Sequence, residues 1–285
     1  MKRSLIYTLV LAALSGPAAL VATSAHAEDS PHTFTGNAAV VSDYRFRGIS
    51  QTYKEPALQG GLDYSHSSGL YLGTWASTLS RLSFPKGNGI ELDLYGGYKW
   101  EVAKDTMLDV GVLHYYYSGA SWSYIAMNGG ANQKFNNTEL YFAANYKWLS
   151  GKVSYAVSDY FGTNASTVGN LCETSGIGDI NHCIPTTRGG SKGTTYTELN
   201  AAYPLSDNLT LNAHVGYLRV NHYSELNYTD WKLGVNYNLN GWSIGANYVD
   251  TNANKGFYNI GKNGNLTDFK KLGTSTVVLS VGTTF

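Results

Sequence analysis

From Ile90 to Trp100, apolar and charged side chains alternate. Ile90, Leu92, Leu94, Tyr98 and Trp100 share one parity, and Glu91, Asp93, Tyr95 and Lys99 share the other. Successive side chains of a strand point to opposite faces, so the spacing predicts a strand with one apolar and one polar face. A strand of a soluble antiparallel sheet also shows this pattern, so a single copy points no further than a half-buried strand. Here it recurs along the chain. Phe34, Ala38, Val40, Tyr44 and Phe46 alternate with Thr35, Asn37, Asp43, Arg45 and Arg47, predicting a first strand that runs through Arg47. Similar alternation surrounds Leu58–Tyr64, Leu108–Tyr117, Leu140–Trp148, Val153–Phe161, Tyr196–Tyr203, Leu209–Tyr217, Asp230–Leu239, Trp242–Tyr248 and Val277–Phe285. From Leu70 to Ser77 large side chains fall on both parities, which leaves the lipid-facing side of that strand open.

The connections sort themselves as well. Ser67-Ser68-Gly69, Ala103-Lys104-Asp105, Ser150-Gly151, Ser206-Asp207-Asn208 and Asn240-Gly241 are tight turns, the last being the strongest hairpin signal in the chain. Between them, long polar stretches follow every odd strand. With about twelve strands, this alternation predicts an all-β fold: a transmembrane antiparallel up-and-down β-barrel with short periplasmic turns and long extracellular loops. Aromatic residues segregate toward strand ends. Tyr64, Tyr98, Trp100, Tyr146, Trp148, Tyr155, Tyr203, Tyr237, Trp242 and Phe285 are expected at the turn side, and Tyr44, Phe46, Tyr116, Phe161, Tyr217, Trp231 and Tyr248 at the loop side, as two interfacial girdles. Aromatic core filler is the competing reading.

Ahead of the strands, Met1-Lys2-Arg3, an apolar run broken by Pro17, and Ala25-His26-Ala27 follow the order of a secretory signal peptide, predicting cleavage after residue 27. An uncleaved anchor helix is the alternative, opposed by the interruption at Gly16 and Pro17. Residues 28–285 then form the barrel domain. The whole chain balances 20 basic against 20 acidic residues. Loss of Lys2 and Arg3 with the leader tips the remainder slightly acidic, which gives no basic footprint for nucleic acid. No cofactor signature appears.

Charged positions on the polar parity are candidates to line the lumen: Arg45, Arg47, Asp63, Glu91, Asp93, Lys99, Glu139, Lys147, Glu198, Asp230 and Lys232. They fit either a plug of paired charges or a water-filled constriction that selects by charge. Arg45 and Arg47, taken as lumenal neighbours on one strand, predict mild anion preference near the outer mouth. Cys172 and Cys183 share one long loop of an exported chain and predict a disulfide; a metal site with His182 is the sharper, weaker reading. Catalysis would need His114 and His214, which the alternation puts on opposite faces, and no G-x-S-x-G elbow is present.

The block Ser42-Asp43-Tyr44-Arg45-Phe46-Arg47-Gly48-Ile49-Ser50-Gln51-Thr52, with Pro56 to Tyr64 and Glu91 to Trp100, resembles the TorF family of porin-like proteins, also labelled Gcw_chp. The likeness is strongest in the N-terminal third, and the insert from Gly162 to Gly193 has no counterpart. It implies an outer-membrane location and passage of small hydrophilic solutes. It assigns no substrate. The surroundings expected of such a barrel are outer-membrane lipid and lipopolysaccharide, with delivery to the barrel-assembly machinery through the C-terminal strand ending in Phe285. A closed barrel acting structurally or through its loops is the first alternative, and a lipid-modifying barrel enzyme the second.

Overall fold

The computed structural model describes residues 30–122, 133–169, 171–174, 180–261 and 269–285. The signal-peptide reading of residues 1–27 lies outside them. Twelve long strands form a closed antiparallel barrel. They are β1 (His32–Val41), β2 (Ala57–His66), β3 (Leu70–Thr78), β4 (Ile90–Ala103), β5 (Thr106–Tyr117), β6 (Asn137–Tyr146), β7 (Leu149–Ala156), β8 (Thr195–Pro204), β9 (Leu209–Arg219), β10 (Tyr228–Leu239), β11 (Trp242–Thr251) and β12 (Thr276–Thr284). Each pairs with its sequence neighbours, and β12 returns to β1 in the register Val40↔Val281. Two further backbone bonds between Gly36 and Phe285, at 2.7 and 2.9 Å, seal the seam. No described helix is long and apolar enough to cross a membrane, so any crossing is made by strands.

The turn residues explain the hairpins locally. Asn240 and Gly241 both take positive φ, 51° and 88°, the backbone of a type I′ turn whose twist matches the flanking strands. Asp105 at φ 62° does the same work between β4 and β5. One predicted turn is displaced. The chain reverses at Lys147 and Trp148, where Lys147 has φ 53°, and Ser150-Gly151 instead lies within β7, paired to β6 and β8. Moving the turn places Lys147 at the exposed barrel rim rather than in the lumen, and carries Tyr155 to the loop end, opposite Thr195.

Leu62, Leu72, Leu94, Leu199, Leu233 and Leu279 are half or more exposed around the outer wall, so the apolar parity faces outward. Its opposite is buried: Asp109, Glu139, Glu198 and Asp230 lie inside. The open question at β3 resolves the same way, with Leu70 and Leu72 outward and the Tyr71 hydroxyl bonded to inward-facing Asp109 at 2.7 Å. Tyr116, Tyr217, Trp231 and Tyr248 are exposed near the loop end, and Tyr98, Tyr146, Trp148, Tyr203, Tyr237, Trp242 and Phe285 near the turn end. Tyr44, Phe46 and Phe161 leave the predicted girdle. Tyr44 and Phe46 are buried, and all three pack in one aromatic cluster with Tyr115 and Tyr117 inside the loop-end half of the barrel. There the connecting segments fold inward and bring their apolar side chains with them.

The outward position of Leu94 has a measurable consequence. Leu94→Arg should destabilise the barrel folded into lipid vesicles by about 2–4 kcal/mol near mid-membrane, while the inward isosteric change Asp93→Asn costs far less. Urea titrations of both variants check this; equal losses would reverse the two faces.

Candidate functional site in the barrel lumen

Strand β1 ends at Val41, and residues 42–56 turn into the barrel instead of extending the strand. Arg45–Phe46 pairs with Ile49–Ser50 as a two-residue hairpin. Its tip, Arg47 and Gly48, has φ of 48° and 76°. An extended strand cannot include that backbone, which is why the alternation read through Arg47 fails beyond Val41. Gly48 meets a second demand, because a Cβ there would sit 2.3 Å from Thr251 Cγ2 and 2.8 Å from Asp230 Cβ. The tip is thus wedged against β10 and β11.

The two arginines therefore do not sit as neighbours on a strand wall. Arg45 Nε donates to Asp43 Oδ2 at 2.6 Å, and its Nη1 donates to the carbonyls of Leu272 at 2.8 Å and Gly48 at 3.0 Å. Arg47 crosses the lumen to donate to Glu139 Oε2 at 2.7 Å and to the Tyr160 hydroxyl at 3.0 Å. Its guanidinium lies 4.2 Å from the centroid of the Tyr196 ring, a cation–π contact in a water-poor site. Burial pushes the Tyr160 phenol up to about 12, with Arg47 pulling the other way, so Tyr160 keeps its proton. Both arginines are neutralised where they stand, which removes the basis for anion preference.

Further pairs continue down the wall. Lys152 meets Glu198 at 2.7 Å, and His214 Nε2 contacts Asp230 Oδ1 at 2.9 Å. His214 Nδ1 contacts Asn200 Oδ1 at 2.6 Å, and Tyr196 donates to Asp230 Oδ2 at 2.9 Å. Lys232 is flanked by Glu198 and Asp230. Toward the turn end, Lys99 lies 3.8 Å from Asp109 and 4.3 Å from the centroid of the Tyr71 ring, and Tyr95 donates to Asp63 at 2.5 Å. Tyr71 also contacts the Tyr141 hydroxyl. Glu91 and Asp93 differ from the rest. Tyr117 donates to Glu91 Oε1 at 2.8 Å, but neither acid has a basic partner among the described residues.

Of the sequence candidates, all but Lys147 face the interior. Asp109 and Lys152, which the candidate set lacked, belong with them. Lys152 escaped because the turn was placed at Ser150-Gly151; the alternation of Lys152, Ser154 and Ala156 against Val153 and Tyr155 carries the signal. Cys172 and Cys183 are disulfide-bonded across a short ribbon; the side chain of His182 lies outside the described residues. His114, bonded to Thr138 on the outer face at 2.8 Å, is separated from His214 by the wall.

Residues 25–285 match the family described as "Bacterial protein of unknown function (Gcw_chp)". The chain belongs to that family. The TorF label remains a resemblance. No curated protein matches the chain. Among solved structures, it is similar to the KdgM porin at 8% identity and a TM-score of 0.47, covering 89% of this chain and 98% of that one. The NanC porin gives 10% identity and 0.43, covering 89% and 99%. The P. putida toluene transporter TodX gives 11% and 0.43, covering 90% and 89%. For this Gcw_chp member the barrel assignment rests on its own closed strand pairing.

The buried Arg47–Glu139 pair should behave as a unit. Arg47→Met alone leaves an uncompensated buried carboxylate and should cost about 3–5 kcal/mol, whereas Arg47→Met with Glu139→Gln should recover most of that loss. A double-mutant cycle on equilibrium unfolding checks it, and strictly additive losses would mean the pair is not coupled.

Proposed function

We propose that this protein is an outer-membrane barrel that passes small hydrophilic solutes or ions, favours cations, and is closed at its loop end by segment 42–56 in the state described. The carrying observation is the charge balance of the lumen. Each interior base identified above has an acid beside it: Arg45 with Asp43, Arg47 with Glu139, Lys99 with Asp109, Lys152 with Glu198, and Lys232 with Glu198 and Asp230. Among the described residues, Glu91 and Asp93 have none. In a narrow space of reduced dielectric, the uncompensated sign sets the preference, and here it is negative.

The membrane reading is supported by a closed sheet with an apolar outer wall, since only closed barrels and helices satisfy their backbone within hydrocarbon. Residues 1–27 would direct export, the short turns would face the periplasm, and lipopolysaccharide would surround the loop end. Assembly would proceed through the barrel-assembly machinery reading the strand that ends in Phe285. The reaction chemistry of an enzyme has no support in the separated histidines. A permanently closed barrel acting through its loops is the second reading. It is favoured by the two buried apolar clusters that fill the loop-end lumen.

Planar-bilayer recordings separate the two. The native chain should show small or intermittent steps with a cation-shifted reversal potential in a salt gradient, and replacing residues 43–50 by a short Gly/Ser link should enlarge them. Silence from both proteins would overturn the channel. For orientation, Lys255→Cys should react with an impermeant thiol reagent on intact cells and Asp207→Cys should not; the opposite result inverts the barrel.

A further inference from the structure

Gln59, Ser77 and Glu91 lie directly opposite one another on β2, β3 and β4, through the registers Gln59↔Ser77 and Ser77↔Glu91. All three are buried within the lumen. Neighbouring strands are about 4.8 Å apart, so Gln59 and Glu91 reach toward each other over the small Ser77. Asp93 follows on the same face, about 7 Å further along β4.

This patch concentrates unmet acceptor capacity. Gln59 Oε1, Glu91 Oε2 and Asp93 Oδ1 are each buried without a hydrogen-bond partner, and the hydroxyl nearest the Glu91 carboxylate besides Tyr117 is that of Tyr44. The serine between them is occupied, since Ser77 Oγ receives Gln59 Nε2 at 3.3 Å and donates to the Thr78 carbonyl at 3.1 Å. Asp93 is only 2% exposed, and the charges acting on it are those of Glu91 and Glu139. Arg47 serves Glu139, and among the described residues no base pairs with the other two. A buried acceptor without a donor is costly, and two adjacent buried carboxylates without a counter-ion more so. Three orphaned oxygens on one face of neighbouring strands, two of them carboxylate oxygens, call for a positively charged partner that accepts their lone pairs.

We propose that Gln59, Glu91 and Asp93 form a lumenal binding site for a hard divalent cation of the calcium class. The donors are oxygen only, which suits calcium or magnesium and not soft, thiolate-seeking metals. Two carboxylates match a double positive charge. No set of three or more His, Cys, Asp or Glu side chains among the described residues is gathered for a metal, so the Gln59 amide oxygen is the third protein ligand and water completes the shell. Calcium prefers six to eight oxygens and tolerates irregular geometry, whereas magnesium demands a near-ideal octahedron. An ion here would hold β2, β3 and β4 together beside the Tyr44 ring of the closing segment, which packs on Trp75 at 5.4 Å.

The site is testable without any membrane current, on barrel refolded in detergent micelles free of lipopolysaccharide, so its failure is distinct from failure of the channel reading. Trp75 lies directly opposite Asp93, and Tyr117 bonds Glu91, placing two aromatic sensitisers at the site. Terbium(III) added to the native protein and excited through these rings should give saturable emission that calcium displaces. Glu91→Gln with Asp93→Asn should weaken terbium binding at least tenfold, and Gln59→Leu several-fold. Calcium should also raise the thermal midpoint of the native barrel, as any ligand specific to the folded state does, and leave that of the acid double variant unmoved. Absence of saturable emission, emission unchanged in the double variant, or a native midpoint indifferent to calcium would each overturn the site. Should the double variant fail to fold, Gln59→Leu and the native calcium response decide alone.

Discussion

The backbone dictates this structure before any side chain does. In hydrocarbon, an N–H or C=O with no partner costs several kcal/mol, and water is not there to supply one. A sheet can therefore enter a membrane only if it has no edge. Here β12 returns to β1, and Phe285 exchanges both backbone bonds with Gly36 to finish the seam. Once closure is required, an even number of antiparallel strands follows, both ends of the chain's barrel fall on the same side, and every second side chain must choose between lipid and lumen. The long alternating runs in the sequence are that choice written out.

That is also why the wall was legible and the interior was not. Alternation reports a side chain's face, so Leu94 outward and Asp93 inward follow from parity alone. It cannot report where a strand stops when the residues beyond it keep alternating. Asp43 to Arg47 continue the period, yet the chain leaves the sheet at Val41, because the decisive event is a pair of positive φ angles at Arg47 and Gly48. Only Gly48 hinted at it. Lys147 was misplaced for a related reason: its φ of 53° makes the turn three residues earlier than the more turn-like Ser150-Gly151. Tyr44 and Phe46 then count as interior packing, although their composition and spacing suit an interface equally well. Parity also identified the lumenal charges, but partners depend on contacts across the bore, such as Arg47 to Glu139, that no local pattern encodes.

Those partners give the lumen its character. Buried ion pairs gain little over an apolar filling and lose heavily when one member is removed, so they specify an arrangement more than they stabilise it. Arg47 illustrates the point. Its guanidinium is held by Glu139 from β6, Tyr160 from the turn after β7 and the ring of Tyr196 from β8, and each direction excludes an alternative seat for the hairpin tip. Gly48 fixes the tip from behind, against Thr251 and Asp230.

Opening the loop end would consequently be a concerted event. Arg45 ties segment 42–56 to the carbonyls of Leu272 and Thr274, in the connection between β11 and β12, and Lys54 Nζ donates to Thr274 Oγ1 at 2.6 Å. Withdrawing the hairpin breaks those bonds together with the Arg47 contacts and strands Glu139 without its counter-ion, whereas Asp43 travels with Arg45 in the same segment. The motion is cheap only if water enters as Arg47 leaves, because Glu139 then exchanges a guanidinium for hydration. The segment also seats Ile49 in one apolar cluster and Tyr44 and Phe46 in the other, so withdrawing it would uncover apolar surface beside the Glu139 carboxylate, a second cost that favours the closed seat.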